Sequence, residues 1–124
     1  PREQELFAAV NAIRRENGLK ELTIDTQLQS AARAHTADMI EYDYFAHSWH
    51  DGRSFTNWSQ SFYGCSRGEI LAWQTPSISG QSAVSLWLNS PGHRSALLSV
   101  SGWDEMGVEL TEKHATVVFG DGRC

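Results

Sequence analysis

Residues 85–99 read "SLWLNSPGHRSALLS". Ser90 precedes a proline, which disfavours the α region at Ser90 and closes whatever helix leads into it. The preceding "QSAVSLWLN" spaces Val84, Trp87 and Leu88 at helical intervals, so a helix does lead into it. Ser90 then suits the N-cap of a second helix, with Pro91 at its first position and Ala96, Leu97 and Leu98 as its apolar run. Two helices therefore meet at a sharp turn. His93 falls at the third position of the new one, where the helix macrodipole opposes a positive charge by a few tenths to about 1 kcal/mol. Neutral imidazole is the form that ligates metal or takes a proton. An ordinary solvated histidine near a cap is the plain alternative.

Upstream, "EQELFAAVNAIRRENG" places Leu6, Phe7, Val10 and Ile13 at helical spacing and stops at Gly18. "ELTID" reads as a turn, with Asp25 capping a second helix that runs to about Glu41. Its apolar face carries Leu28, Ala31, Ala32, His35 and Met39. Residues 53–63 leave room for a short helix, and "GEILAW" reads as a buried strand. Downstream, "EMGVEL" and "ATVVFG" read as two strands of a hairpin joined by the polar "TEKH". Helices in front, short strands behind and one helix between them give an α+β class, helices packed on a small sheet. With no internal repeat or linker, residues 1–124 read as a single domain.

Composition narrows the function classes. The chain is 40% hydrophobic with five tryptophans, which is globular usage. No apolar run reaches spanning length, so no transmembrane segment is expected. A net charge of −5 with no cluster of lysine and arginine argues against nucleic acid as a partner. Cys65 and the terminal Cys124 suggest a disulfide pinning the last strand, and hence an oxidising compartment; two free thiols are the alternative. The chain opens at Pro1 with no methionine and no charged-then-apolar leader, which fits a processed chain.

Several side chains are candidates for chemistry. His47 follows an aromatic pair in "YFAHSWH", and His50 three residues on makes a His-x-x-His spacing that can be half a metal site. His35 reads as a satisfied packing histidine, its ring nitrogens hydrogen-bonded, and His114 as exposed in the hairpin turn. Glu69 opens an apolar strand, where an unpaired carboxylate is costly, so a partner is expected: Arg67 locally, or a histidine across a cleft. Glu105 is similarly placed but nearer solvent. The chain carries no Gly-x-Ser-x-Gly elbow, Walker loop, His-Glu-x-x-His or dinucleotide fingerprint.

Taken in order, "VNAIRRENGLKELTIDTQLQSAARAHTADM", "FAHSWHDG", "GEILAW", "SLWLNSPGHRSALLS" and "EMGVEL…ATVVFG" resemble the CAP superfamily of cysteine-rich secretory proteins, antigen 5 and pathogenesis-related 1 proteins. The likeness covers nearly the whole chain and looks nearest to the short bacterial branch of SCP-like extracellular domains. The resemblance implies a three-layer α-β-α sandwich with a small, mainly antiparallel sheet, and a secreted or cell-surface location. It also implies an open cleft in which His47, Glu69 and His93 match the family's histidine, glutamate and histidine. The larger members' second glutamate falls at Ser90 here, so the fourth cleft position is a hydroxyl or comes from elsewhere, with Glu105 a candidate. Two departures stand out: Ile70 replaces the asparagine expected after Glu69, and "HATVVFG" lacks the usual aromatic lead of the last strand.

These readings leave three functions open. In the first, the cleft binds a divalent ion such as zinc through His47 and His93, together with an extracellular lipid, cell-wall fragment or protein. In the second it is a hydrolase assisted by metal or by Ser90. In the third it is a non-catalytic adhesive module. A monomer is expected in each.

Overall fold

The computed structural model describes residues 2–122 and 124. Helix α1 spans Arg2–Glu16, β1 Thr23–Ile24, α2 Thr26–Tyr42, α3 Phe55–Gln60 and β2 Ser66–Trp73. Helix α4 spans Gly80–Leu88, α5 Pro91–Leu97, β3 Glu105–Leu110 and β4 His114–Gly120. Each element of the sequence reading is present, and β1 is an addition. "ELTID" holds two extended residues, Thr23 and Ile24, which pair parallel with Glu105 and Met106 of β3. A two-residue strand offers no periodicity to read.

Local chemistry sets the boundaries. Asp25 caps α2, its carboxylate accepting from the backbone N–H of Gln27 and Leu28. Gly18, at φ 71°, takes the left-handed turn that ends α1 and releases the chain toward β1. Ser79 and Ser82 form a reciprocal capping box at the start of α4.

The sheet runs β1-β3-β4-β2, with β3, β4 and β2 antiparallel and only the β1–β3 pair parallel. Alternation along β4 sends Ala115, Val117 and Phe119 to one face, where they pack with Leu6, Val10, Ala83, Trp87 and Leu97 of α1, α4 and α5. Val118 points to the other face and packs with Leu28, Ala31, Ala32 and Trp58 of α2 and α3. Helices thus cover both faces, giving the α-β-α sandwich.

Two features fix how α2 lies on the sheet. Gly107 supplies bare backbone where α2 crosses, since a Cβ there would come within 2.1 Å of the Leu28 carbonyl. Gln29 then donates to the Val108 carbonyl and accepts from the Val108 N–H, standing in for the strand that β1 is too short to provide. On the opposite side the fully buried Arg14 donates to the carbonyls of Lys20, Leu97 and Ser99, tying the end of α1 to the end of α5. Cys65 and Cys124 form the expected disulfide, joining the entry to β2 and the last residue across a separation of 59.

Candidate functional site

Strand β2 lies at the sheet edge, and alternation turns Glu69, Leu71 and Trp73 toward the α2 side while Ile70 and Ala72 enter the opposite core. Ile70 is thereby explained: the position after Glu69 is a core position, 2% exposed, and packs as one.

Glu69 is buried, with a side chain 1% exposed, and both its oxygens are spoken for. Oε1 meets His47 Nδ1 at 2.8 Å and Oε2 meets His35 Nδ1 at 2.5 Å. The expected cross-cleft histidine is therefore present, and a second one stands behind it. Arg67, the local alternative, instead donates to the Ser66 carbonyl. His47 is the outer member, with a side chain 54% exposed, and the hydrogen bond to Glu69 pushes its pKa up against the opposing effect of burial. Its segment is anchored by Trp58, whose indole N–H donates to the His47 carbonyl at 2.8 Å.

His35 packs in the apolar interior as expected, fully buried, with its ring 4.4 Å from Trp58 and stacked near Trp49. Packing is half of its role. Its Nε2 lies 3.0 Å from the Ser48 carbonyl, so both ring nitrogens are engaged. Helical periodicity places His35 on the buried face of α2; nothing in it could reveal that Glu69, 34 residues on, arrives opposite.

His47 and His50 turn their Nδ1 atoms to different carboxylates. His50 turns to Asp38, with Nδ1 2.6 Å from Oδ1, and stacks flat on Tyr42 at 3.7 Å between centroids. Burial raises the Asp38 pKa, but hydrogen bonds from Tyr44 and His50 outweigh it and hold the carboxyl below its usual value. Glu105 is also committed elsewhere. It accepts from the Tyr63 hydroxyl at 2.6 Å, beside Gly122, and is not part of the groove described next. Its position at the start of β3, two strands from β2, accounts for this.

A groove of about 760 Å³ opens along the outer edge of β2, between the end of α2 and the α4–α5 turn. Leu71, Trp73, Phe45, Leu86 and Trp87 give it apolar walls, and Ser90, His93 and His114 supply polar groups. Trp87 is fixed by donating its indole N–H to the Leu71 carbonyl, which the edge strand leaves open on that side. Ser90 occupies the N-cap position of α5 as expected, yet its hydroxyl makes no capping bond. His114 opens β4 instead of sitting in the hairpin turn, and burial in the groove wall pushes its pKa down, with Lys113 adding to the effect.

Of the predicted residues, the fold joins His47 to Glu69 and sets Ser90 and His93 together in the groove, beside Leu71, which follows Glu69 on the same face of β2. The groove's aromatic walls come from separate elements, and no local pattern announces them.

Comparison with known proteins agrees with this architecture. The family model "Cysteine-rich secretory protein family" (CAP) matches residues 7–108. Two Bacillus subtilis proteins are similar in sequence. The uncharacterised membrane protein YlbC is 34% identical over 94% of this chain and 34% of its own length. The uncharacterised protein YkwD is 36% identical over 89% of this chain and 42% of its own. The chain thus spans between a third and a half of these relatives. Among solved structures, an extracellular SCP-domain protein from Bacillus anthracis superposes with a TM-score of 0.84 at 30% identity, covering 97% of this chain and 40% of that one. An outer surface protein from Borrelia burgdorferi gives 0.81 at 25% identity, covering 94% of this chain and 89% of that one. With its sandwich, edge-strand groove and family match in agreement, the chain belongs to the CAP (cysteine-rich secretory protein) family.

Proposed function

We propose that this chain is an extracellular ligand-binding domain whose groove takes an amphipathic molecule, a lipid in the first instance. The apolar body would lie along Phe45, Trp73 and Leu86, and the polar head would meet Ser90 and His93. The observation that carries this reading is the groove itself. Phe45, Trp73 and Leu86 are 51%, 50% and 41% exposed around one concavity that ends in an uncommitted hydroxyl and an imidazole. The extracellular setting draws support from the disulfide and from the related solved proteins described as extracellular or outer-surface. Titration with a fluorescent fatty acid tests the reading. Wild type should saturate, and Leu86→Glu, which puts a charge in the apolar wall, should weaken binding about tenfold or more. Equal binding by the two proteins, or no saturable binding, would overturn it.

A divalent ion is a second reading, favoured by one feature. His47 gives Nδ1 to a carboxylate and keeps Nε2 uncommitted, the arrangement that orients metal-ligating histidines. Glu69 would then stand behind a ligand instead of being one, and His47 and His93 would be the two protein ligands. Among the described residues no three His, Cys, Asp or Glu side chains form a ready ligand set, so water or the bound molecule would complete the coordination. Zinc binding that is unchanged in His47→Ala and His93→Ala would remove this reading. The same uncommitted Nε2 is what a general base for hydrolysis requires. Turnover of a peptide, lipid or cell-wall substrate that is lost in His47→Ala would establish that use.

A further inference from the structure

We infer that His35 is a positioning residue that, through Glu69, fixes which nitrogen of His47 carries the proton. The inference deepens the reading of His47 as a metal ligand or general base, and it follows from counting protons along one chain of hydrogen bonds. His35 Nε2 faces the Ser48 carbonyl at 3.0 Å; a carbonyl only accepts, so this nitrogen bears N–H. His35 Nδ1 and Glu69 Oε2 are 2.5 Å apart, and one proton lies between them whichever atom carries it. In both cases Oε1 of Glu69 remains an acceptor. His47 Nδ1, 2.8 Å from Oε1, is therefore the donor. In its neutral form His47 is then left with a bare Nε2, on the edge of the ring away from buried Glu69.

Without His35 the same outcome would not be secured. Glu69 hangs on a flexible side chain, and with Oε2 unpartnered in the interior its carboxyl would turn to seek another donor. His35 cannot turn. It is fully buried, wedged against Trp58 and Trp49, and held at both nitrogens. Order thus passes from α2, through β2, to an exposed imidazole in the loop after α2. Holding the proton on Nδ1 matters because unconstrained neutral imidazole favours Nε2–H, which would leave an outward donor where a lone pair is needed to take a proton or hold a cation.

The experiment is ¹⁵N nuclear magnetic resonance on histidine-labelled full chain, at alkaline pH where His47 is neutral. It compares wild type, His35→Phe and His35→Asn. Phe keeps a ring against Trp58 but offers Glu69 nothing; Asn places an amide N–H where Nδ1 stood. Wild type should show His47 as the Nδ1–H tautomer. In His35→Phe the ratio of Nδ1–H to Nε2–H should fall about tenfold, the weight of one charge-assisted hydrogen bond. Asn should restore most of the difference. An Nε2–H tautomer in wild type would overturn the inference even if neither variant folds, as would a ratio unmoved by His35→Phe or lowered equally by both substitutions. The tautomer is read without metal or substrate, so failure of the zinc and turnover tests leaves this result standing, and the reverse holds as well.

Discussion

Replacing Glu69 with glutamine and with alanine separates two contributions of that carboxylate. Glu69→Gln removes the charge but keeps the shape and can satisfy every neighbour. Its amide N–H₂ donates to His35 Nδ1, while its carbonyl accepts from His47 Nδ1–H, the two contacts now made at 2.5 and 2.8 Å. Hydrogen bonds to charged groups are worth about 1.5–3 kcal/mol and neutral ones about 0.5–1.5, so two weakened bonds cost about 1–3 kcal/mol. Relief from burying a carboxylate at 1% exposure offsets part of that loss, leaving a net effect within about 2 kcal/mol. Glu69→Ala offers no such exchange. It orphans a buried His35 nitrogen and opens a cavity beside that ring, costing about 3–5 kcal/mol. Urea unfolding of the three proteins should therefore rank wild type and glutamine close together and alanine well below. Equal losses in the two variants would refute the hydrogen-bond account.

The same pair predicts a change with pH. His47 has its pKa raised in the folded protein, first by its hydrogen bond to Glu69. A raised histidine pKa contributes stability that is fully present below the unfolded value, near 6.5, and is lost as pH rises through the folded value. Glu69→Gln removes the negative partner, so the His47 pKa should drop and this loss on the alkaline side should flatten. The exposed ring and solvent screening keep the effect small, so the His47 titration followed by proton resonance is the sharper assay.

Other perturbations test the frame that holds the site. Gly107→Ala should cost at least about 3 kcal/mol in urea unfolding, because its Cβ would sit 2.1 Å from the backbone carbonyl of Leu28, which cannot swing aside. Arg14→Met should cost about 3–5 kcal/mol and speed amide exchange in α5, since the carbonyls of Lys20, Leu97 and Ser99 lose their common donor. Cys124→Ser opens a link across 59 residues, for which chain entropy predicts a loss of about 4 kcal/mol, measured as a lower urea midpoint.

Much of this frame was legible because it is local. Asp25 and Gly18 mark their helix ends by side-chain chemistry and backbone freedom that act within a few residues. Ser90-Pro91-Gly92 marks a helix junction for the same reason. The strands β2, β3 and β4 show as apolar runs between turn residues. What escaped is what depends on partners distant in the chain. β1 is two residues long and exists only because β3 accepts it. His114 opens β4 and Glu105 meets Tyr63 because the hairpin boundary and the strand order, neither visible in periodicity, set their neighbours.

The site itself shows the same division more sharply. The cost of burying Glu69 unpaired predicted that a partner must exist, and the family resemblance pointed to His47; both hold. The identical cost applies to His35, whose two ring nitrogens lie at 0% exposure and require two partners. Reading His35 as a satisfied packing histidine requires partners for both nitrogens without saying which they are. Two buried polar groups with unmet demands, one on a helix and one on a strand of the sheet that helix covers, are evidence for each other. Pairing them needs no coordinates beyond the sandwich, since α2 and β2 face the same layer. Matching unmet hydrogen-bond demand between elements already assigned to one layer is thus the step by which sequence reasoning could have reached the His35–Glu69–His47 chain.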